Sequence, residues 1–315
     1  MGRLGKSNTN TNTNTNTNTV VGPQSDVWTG VRYNSQEFPK QLNLGEFPAA
    51  LPLNPPADKQ VAYDAAQEKV NKVRFRKYWD AELRASVYLN EFITRNPDWL
   101  PRLVGTLSEM HGRLLQQKGE ELRAVLSMSD EREPRFVEII DQHEAEGVVK
   151  YFLGMLMIDP SSAPATYELI RVARRIGEVV VMCLKDHFHE PRPSQVCPAI
   201  LPMVDPPVTP SFPAGHALQS DLIAKVIKLA DRPFVQEGML FRLSHRVAEN
   251  RIVAGLHYPL DNEAGVLASQ MVLNMLTEGA GTDAPTCPLF CALVNEAKKE
   301  SEREREPLPE ADHAA

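Results

Sequence analysis

Apolar side chains return every three or four positions through most of this chain, and prolines cut that pattern into segments. A 3.6-residue period lines such side chains along one helix face, whereas no stretch alternates at period two between turn signals as a strand would. Tyr63, Val70, Val73, Tyr78, Leu83, Val87 and Phe92 make a first run that begins near Ala62 and stops at Pro97. Leu103, Leu107, Met110, Leu114 and Leu115 make a second, after Asp98 and Pro101. A third covers about 133 to 157, through Phe136, Ile139, Ile140, Val148, Phe152, Leu153 and Leu156. A fourth starts at Pro164 and passes through Leu169, Val172, Ile176, Val179 and Val180 to Lys185. Helices are further expected over 216–230, 236–254, 260–277 and 287–299. Long helices joined by mostly short connections predict an all-α, multi-helix bundle.

The ends of the chain read differently. Residues 8–19 alternate Asn and Thr, which leaves nothing to bury, so 1–19 is expected to be a disordered tail. Residues 20–59 are rich in Pro and Gly with scattered aromatics (Trp28, Tyr33, Phe38, Phe47) and suit an extended arm laid over a core. Such an arm could also wrap a neighbouring copy into a homo-oligomer. Residues 60–300 form the single helical domain, and 301–315 a solvated tail of mixed charge.

Composition narrows the function. A formal net charge of −7, without a dense Lys/Arg run, argues against a nucleic-acid partner or an anionic membrane surface. Cys183, Cys197, Cys287 and Cys291 are too unevenly spaced for a disulfide framework and lack the further ligands of a metal site, so they read as ordinary thiols. No signal segment and no apolar stretch near the roughly 20 residues of a membrane span is present, which predicts a soluble, cytoplasmic chain.

Three polar clusters follow one another between Lys185 and Asp261. The first holds Lys185 and Arg192-Pro193, the second Ser211-Phe212-Pro213-Ala214-Gly215-His216, and the third Asn250-Arg251, His257 and Asp261. A loop over 194–214 links the first two and carries Pro198, Pro202, Pro206, Pro207, Pro210 and Pro213, too long and stiff to be mere connection. Taken singly, each cluster has a plain explanation. Two cations suit a helix C-terminus, a histidine can sit in a first turn, and His257 with Asp261 could be an ordinary i, i+4 pair. His187, His189 and His245 have no matching partners. Together the clusters supply three cations, two imidazoles and one carboxylate, the inventory of a site built around a bound oxyanion.

In order and spacing the set resembles the signature of the type 2 phosphatidic acid phosphatase and vanadium haloperoxidase superfamily. That signature is a Lys, six residues and Arg-Pro; then Pro-Ser-Gly-His; then Ser-Arg, five residues, His, three residues and Asp. The resemblance covers roughly 80 residues and implies the helical bundle of that superfamily. It makes His257 the nucleophile that attacks phosphorus, or the ligand of vanadium where vanadate is bound. It makes Asp261 the group that orients His257, and His216 the general acid, with Gly215 giving the backbone room to approach the anion. Lys185, Arg192 and Arg251 would hold the equatorial oxygens, with no metal needed by a phosphatase.

Two positions depart from that signature. Ala214 stands for serine and removes a hydroxyl donor, a loss on the order of 2–4 kcal/mol of transition-state stabilisation when nothing replaces it. Asn250 also stands for serine, a polar exchange. The leading expectation is a phosphatase acting on a small phosphomonoester through a phosphohistidine. The alternatives are a vanadate-dependent haloperoxidase, against which Thr209 and Ala214 both count, and a protein that binds phosphate or vanadate without turnover. A lipid substrate is disfavoured by the missing membrane span.

Overall fold

A computed structural model describes residues 79–144, 146–233, 235–278 and 286–305 of the 315. The expected tail over 1–19, the arm over 20–59 and the helical run before residue 79 lie outside the described residues, as does 306–315. Among the described residues the architecture is all-α, with no strand.

The chain order is α1 (Ala81–Arg95), α2 (Trp99–Ser127), a 3-10 turn (Met128–Glu131), α3 (Phe136–His143), α4 (Gly147–Leu156), α5 (Pro164–Phe188), α6 (Pro193–Val196), α7 (Gly215–Ala230), α8 (Glu237–Val253), α9 (Pro259–Thr277) and α10 (Pro288–Arg305). Asp80 starts α1 by accepting from the backbone N–H groups of Glu82 (2.8 Å) and Leu83 (3.3 Å). Pro164 and Pro259 stand in the first turns of α5 and α9, where a missing N–H costs nothing. At its far end α5 closes on His189 in the left-handed conformation (φ 53°), which turns the chain just after Lys185.

The core forms around α5 and α7. α5 packs on α1, α7 and α10, and α7 packs on α5, α8 and α9. Leu169, Val172, Ile176, Val180 and Leu184 of α5 meet Leu218, Leu222, Ile223 and Val226 of α7 in one buried cluster. Each such side chain contributes about 1.5–3 kcal/mol relative to staying exposed. Gly265 lets α9 close on the start of α7, because a Cβ there would stand 2.6 Å from the Ala214 carbonyl and 2.9 Å from the Ala217 methyl. Among the described residues no helix is long and apolar enough to cross a membrane.

Three expectations are corrected. The run over 133–157 is two helices, with Glu144 in extended backbone between them. Gly147 permits the tight turn, since a Cβ there would fall 2.3 Å from the Asp141 carbonyl. The loop over 194–214 opens with the short helix α6. The charged segment from residue 301 continues α10 through Arg305 instead of forming a tail, with Ser301 buried and donating to the Ala230 carbonyl at 2.8 Å.

Candidate functional site

Each polar cluster sits at a helix end, and the ends converge. Lys185 lies in the last turn of α5, Arg192 just before α6, His216 in the first turn of α7, Arg251 in the last turn of α8, and His257 and Asp261 on either side of the start of α9. Gly255, at φ +79°, carries the chain from Arg251 to His257 through backbone that other residues rarely adopt. A Cβ there would also stand 2.9 Å from Ile200 Cγ2.

The imidazole of His257 is fixed from behind. Its Nδ1 is 3.0 Å from Asp261 Oδ2, and that oxygen also accepts from the Tyr258 N–H at 3.0 Å and from the Ser211 hydroxyl. Ionised carboxylate oxygens only accept, so the proton of a neutral His257 lies on Nδ1 and Nε2 keeps its lone pair. Nε2 faces Arg192, with Nη1 3.4 Å away. The result is an imidazole with its basic nitrogen turned towards cations.

Those cations are buried: Lys185 is 3 % exposed, Arg192 2 % and Arg251 0 %. The proline-rich loop is the reason two of them can be. Lys185 Nζ donates to the carbonyls of Pro210 and Ser211, the latter at 2.8 Å. Arg192 Nε donates to Pro207 (3.1 Å) and Thr209 (2.9 Å), Nη1 to Leu256 (2.9 Å), and Nη2 to the Thr209 hydroxyl (3.2 Å). Carbonyls satisfy hydrogens without cancelling charge. Arg251 is less well met: Nη2 donates to the Ile139 carbonyl at 2.8 Å, while Nε and Nη1 are buried without a partner among the described residues.

Electrostatics follow from this packing. Desolvation pushes Arg192 and Arg251 down to about 10, still charged at neutral pH. It also lowers Lys185, with Arg192 adding to the effect and Asp261 opposing it. Burial raises Asp261 against the Ser211 and Tyr258 hydrogen bonds, and holds His257 well below an ordinary imidazole, helped by Lys185, Arg192 and Arg251. Arg192 and Arg251, joined by Lys185 as far as burial leaves its amine protonated, outweigh the Asp261 carboxylate and leave a local excess of positive charge in a chain of net charge −7. An anion of charge near −2 matches that excess.

His216 stands within electrostatic reach of Arg251 and His257, and its Nε2 meets the Gln142 carbonyl at 2.8 Å. A carbonyl only accepts, so Nε2 carries the proton and Nδ1 is the nitrogen left for a ligand. Desolvation and then Arg251 push this imidazole down to about 3. Gly215 starts α7 beside it, and a Cβ there would meet only the Val181 methyls, at 3.5 and 3.7 Å. Packing within the protein therefore does not demand glycine at this position.

The structure thus brings together Lys185, Arg192, Gly215, His216, Arg251, His257 and Asp261. Sequence reasoning gave no role to Ser211, whose hydroxyl bonds Asp261 and lies 3.3 Å from His257 Nδ1, although the residue begins the second cluster. It also missed Glu190, inside the first cluster and 2 % exposed. The Glu190 carboxylate is held by His111 Nε2 at 2.9 Å and by Lys118, while its carbonyl accepts the Ser211 N–H at 2.7 Å. An acid between two required cations was the available signal. Gln142 carried none, because its link to His216 spans 74 positions. No protein-family model matches the chain, and no curated protein matches it.

Proposed function

We propose that this chain is a phosphatase of the type 2 phosphatidic acid phosphatase and vanadium haloperoxidase superfamily, hydrolysing a phosphomonoester at His257. One observation carries the reading. His257 is locked by Asp261 at Nδ1, with Nε2 turned to the Arg192 guanidinium and a second, partly unpartnered guanidinium at Arg251 close by. A nucleophile so oriented has use for a substrate that is itself an anion.

The chemistry follows from the same atoms. The phosphoryl oxygens are held by Lys185, Arg192 and Arg251, and the Nε2 lone pair of His257 forms a bond to phosphorus as the ester P–O bond breaks. The departing oxygen takes a proton from Nδ1 of His216. That requires His216 as an imidazolium; burial first and Arg251 second hold the free ring neutral, and a bound dianion opposes both by pairing with the imidazolium and offsetting the charge of Arg251. Water then attacks phosphorus and gives its proton back to His216, the P–N bond breaks, and phosphate leaves with His257 restored. The developing imidazolium of His257 is stabilised throughout by Asp261. The same cradle would accept vanadate, which matches phosphate in shape and charge, with His257 Nε2 as its protein ligand. Bound there, vanadate would act as an inhibitor of this reaction.

Purified protein assayed on an aryl phosphate, with and without orthovanadate and beside bromide oxidation by peroxide, tests the proposal. Phosphate release that vanadate suppresses and His257→Ala abolishes is the expected result. Bromination that depends on vanadate would replace the phosphatase with a haloperoxidase. Anion binding without turnover of any phosphomonoester would reduce the chain to a binding protein.

A further inference from the structure

We propose that the side-chain amide of Gln142 is an additional donor to the oxyanion, serving from α3 in place of the hydroxyl that Ala214 lacks. The inference rests on the anion-binding reading of the site. It begins with the orientation of two amides. Arginine can only donate and an ionised carboxylate can only accept, so Asn250 must turn Oδ1 to Arg135 Nη1 (3.3 Å) and Nδ2 to Glu138 Oε2 (3.0 Å). The same Nδ2 lies 3.0 Å from the Gln142 amide, which must therefore present Oε1 to it. Gln142 Nε2 is forced to face elsewhere.

That nitrogen is buried, in a residue 1 % exposed, and has no partner among the described residues. Its surroundings are those of the site. The carbonyl of Gln142 holds His216 at 2.8 Å, and the carbonyl of Ile139, one turn earlier on α3, holds Arg251 at 2.8 Å. Arg251 follows Asn250 directly, and its Nε and Nη1 are unpartnered too. Three buried donor atoms thus gather where α3 meets the end of α8. Leaving such donors unmet is costly, and a phosphoryl group, rich in lone pairs, would satisfy them together.

The second departure from the serine pattern then has a reason. A serine at 250 would offer one hydrogen and could serve Glu138 or Gln142, but not both. The two hydrogens of Asn250 Nδ2 reach both acceptors, and this fixes the Gln142 amide with its donor side free.

Orthovanadate titrated against the wild type, Gln142→Met and Gln142→Glu tests the assignment. Gln142→Met keeps volume and removes the donor, and is expected to weaken vanadate about tenfold or more. Gln142→Glu keeps an acceptor for Asn250, so the packing survives, but turns a carboxylate oxygen on the anion; it is expected to weaken binding further. Vanadate affinity unchanged from wild type in either variant would overturn the inference while leaving the phosphatase reading intact. A wild type that binds no vanadate would sink both.

Discussion

In the proposed reaction, Asp261 is the residue on which the chemistry of His257 turns. It occupies the third position of α9, caps its own helix through the Tyr258 N–H, and selects the tautomer of the imidazole. Asp261→Asn can present N–H hydrogens to Nδ1 and so favour the wrong tautomer. kcat on an aryl phosphate should fall by roughly 100- to 10,000-fold, with the melting temperature little changed. Burial raises Asp261, so kcat/KM should decline on the acid side at a higher pH than an ordinary carboxylate would give. The Ser211 hydroxyl opposes that rise by stabilising the carboxylate. Ser211→Ala should therefore move the acid limb of the kcat/KM profile to still higher pH, and a limb that stays in place would remove Ser211 from the account.

At the scale of elements, three acidic side chains cap helices other than their own, one of them Glu121 of α2, which accepts the Leu260 N–H at 2.9 Å at the start of α9. Glu91 of α1 accepts the N–H groups of Leu289 (2.8 Å) and Phe290 (3.0 Å) at the start of α10. Glu300 of α10 accepts those of Ala165 (2.6 Å) and Thr166 (2.9 Å) at the start of α5. Glu91 and Glu300 are both 7 % exposed. Glu300→Ala strips three buried donors, the two N–H groups and the Thr166 hydroxyl (2.9 Å), of their acceptor and should cost about 1–3 kcal/mol in urea unfolding, with KM unchanged because the site lies at the other end of α5. These caps also explain what the sequence hid. Periodicity marked α2, α5, α7, α8 and α9 because each buries an apolar face. The last turns of α10 bury little but Ser301 and Glu300, so their charged residues read as solvent-bound until the carbonyl of Ala230 and the start of α5 are in place. The break between α3 and α4 was hidden for the opposite reason: apolar spacing runs straight across it, and only Gly147 betrays the turn.

Across the whole molecule, helix ends carry the charges and the loop over 194–214 supplies carbonyls to bury two of them. The seven residues of the candidate site could be picked out because their spacing survives in one dimension. Ser211, Glu190 and Gln142 could not, since their roles depend on contacts made only after α2, α3 and α9 pack together. A fold that concentrates positive charge should gain stability from an anion. Phosphate at about 100 times its Kd should add about 2.7 kcal/mol, read as a rise in melting temperature that equal chloride does not give. The pH dependence has a defined sign. His216 is lowered from 6.5 to about 3, so its contribution is complete above 6.5 and is lost as pH falls towards 3. Asp261, being raised, works in the opposite direction and offsets part of that loss. Acidification from pH 7 to 5 should lower the melting temperature less in phosphate than in chloride, because the anion favours a charged His216. The proposed reaction depends on a covalent step at His257. Rapid mixing with an aryl phosphate, an alkaline quench and mass spectrometry of the peptide containing His257 would test it most directly. One transferred phosphoryl group is expected on His257, disappearing as substrate is exhausted. Steady turnover with no adduct at any mixing time, or an adduct on His216 instead, would contradict it.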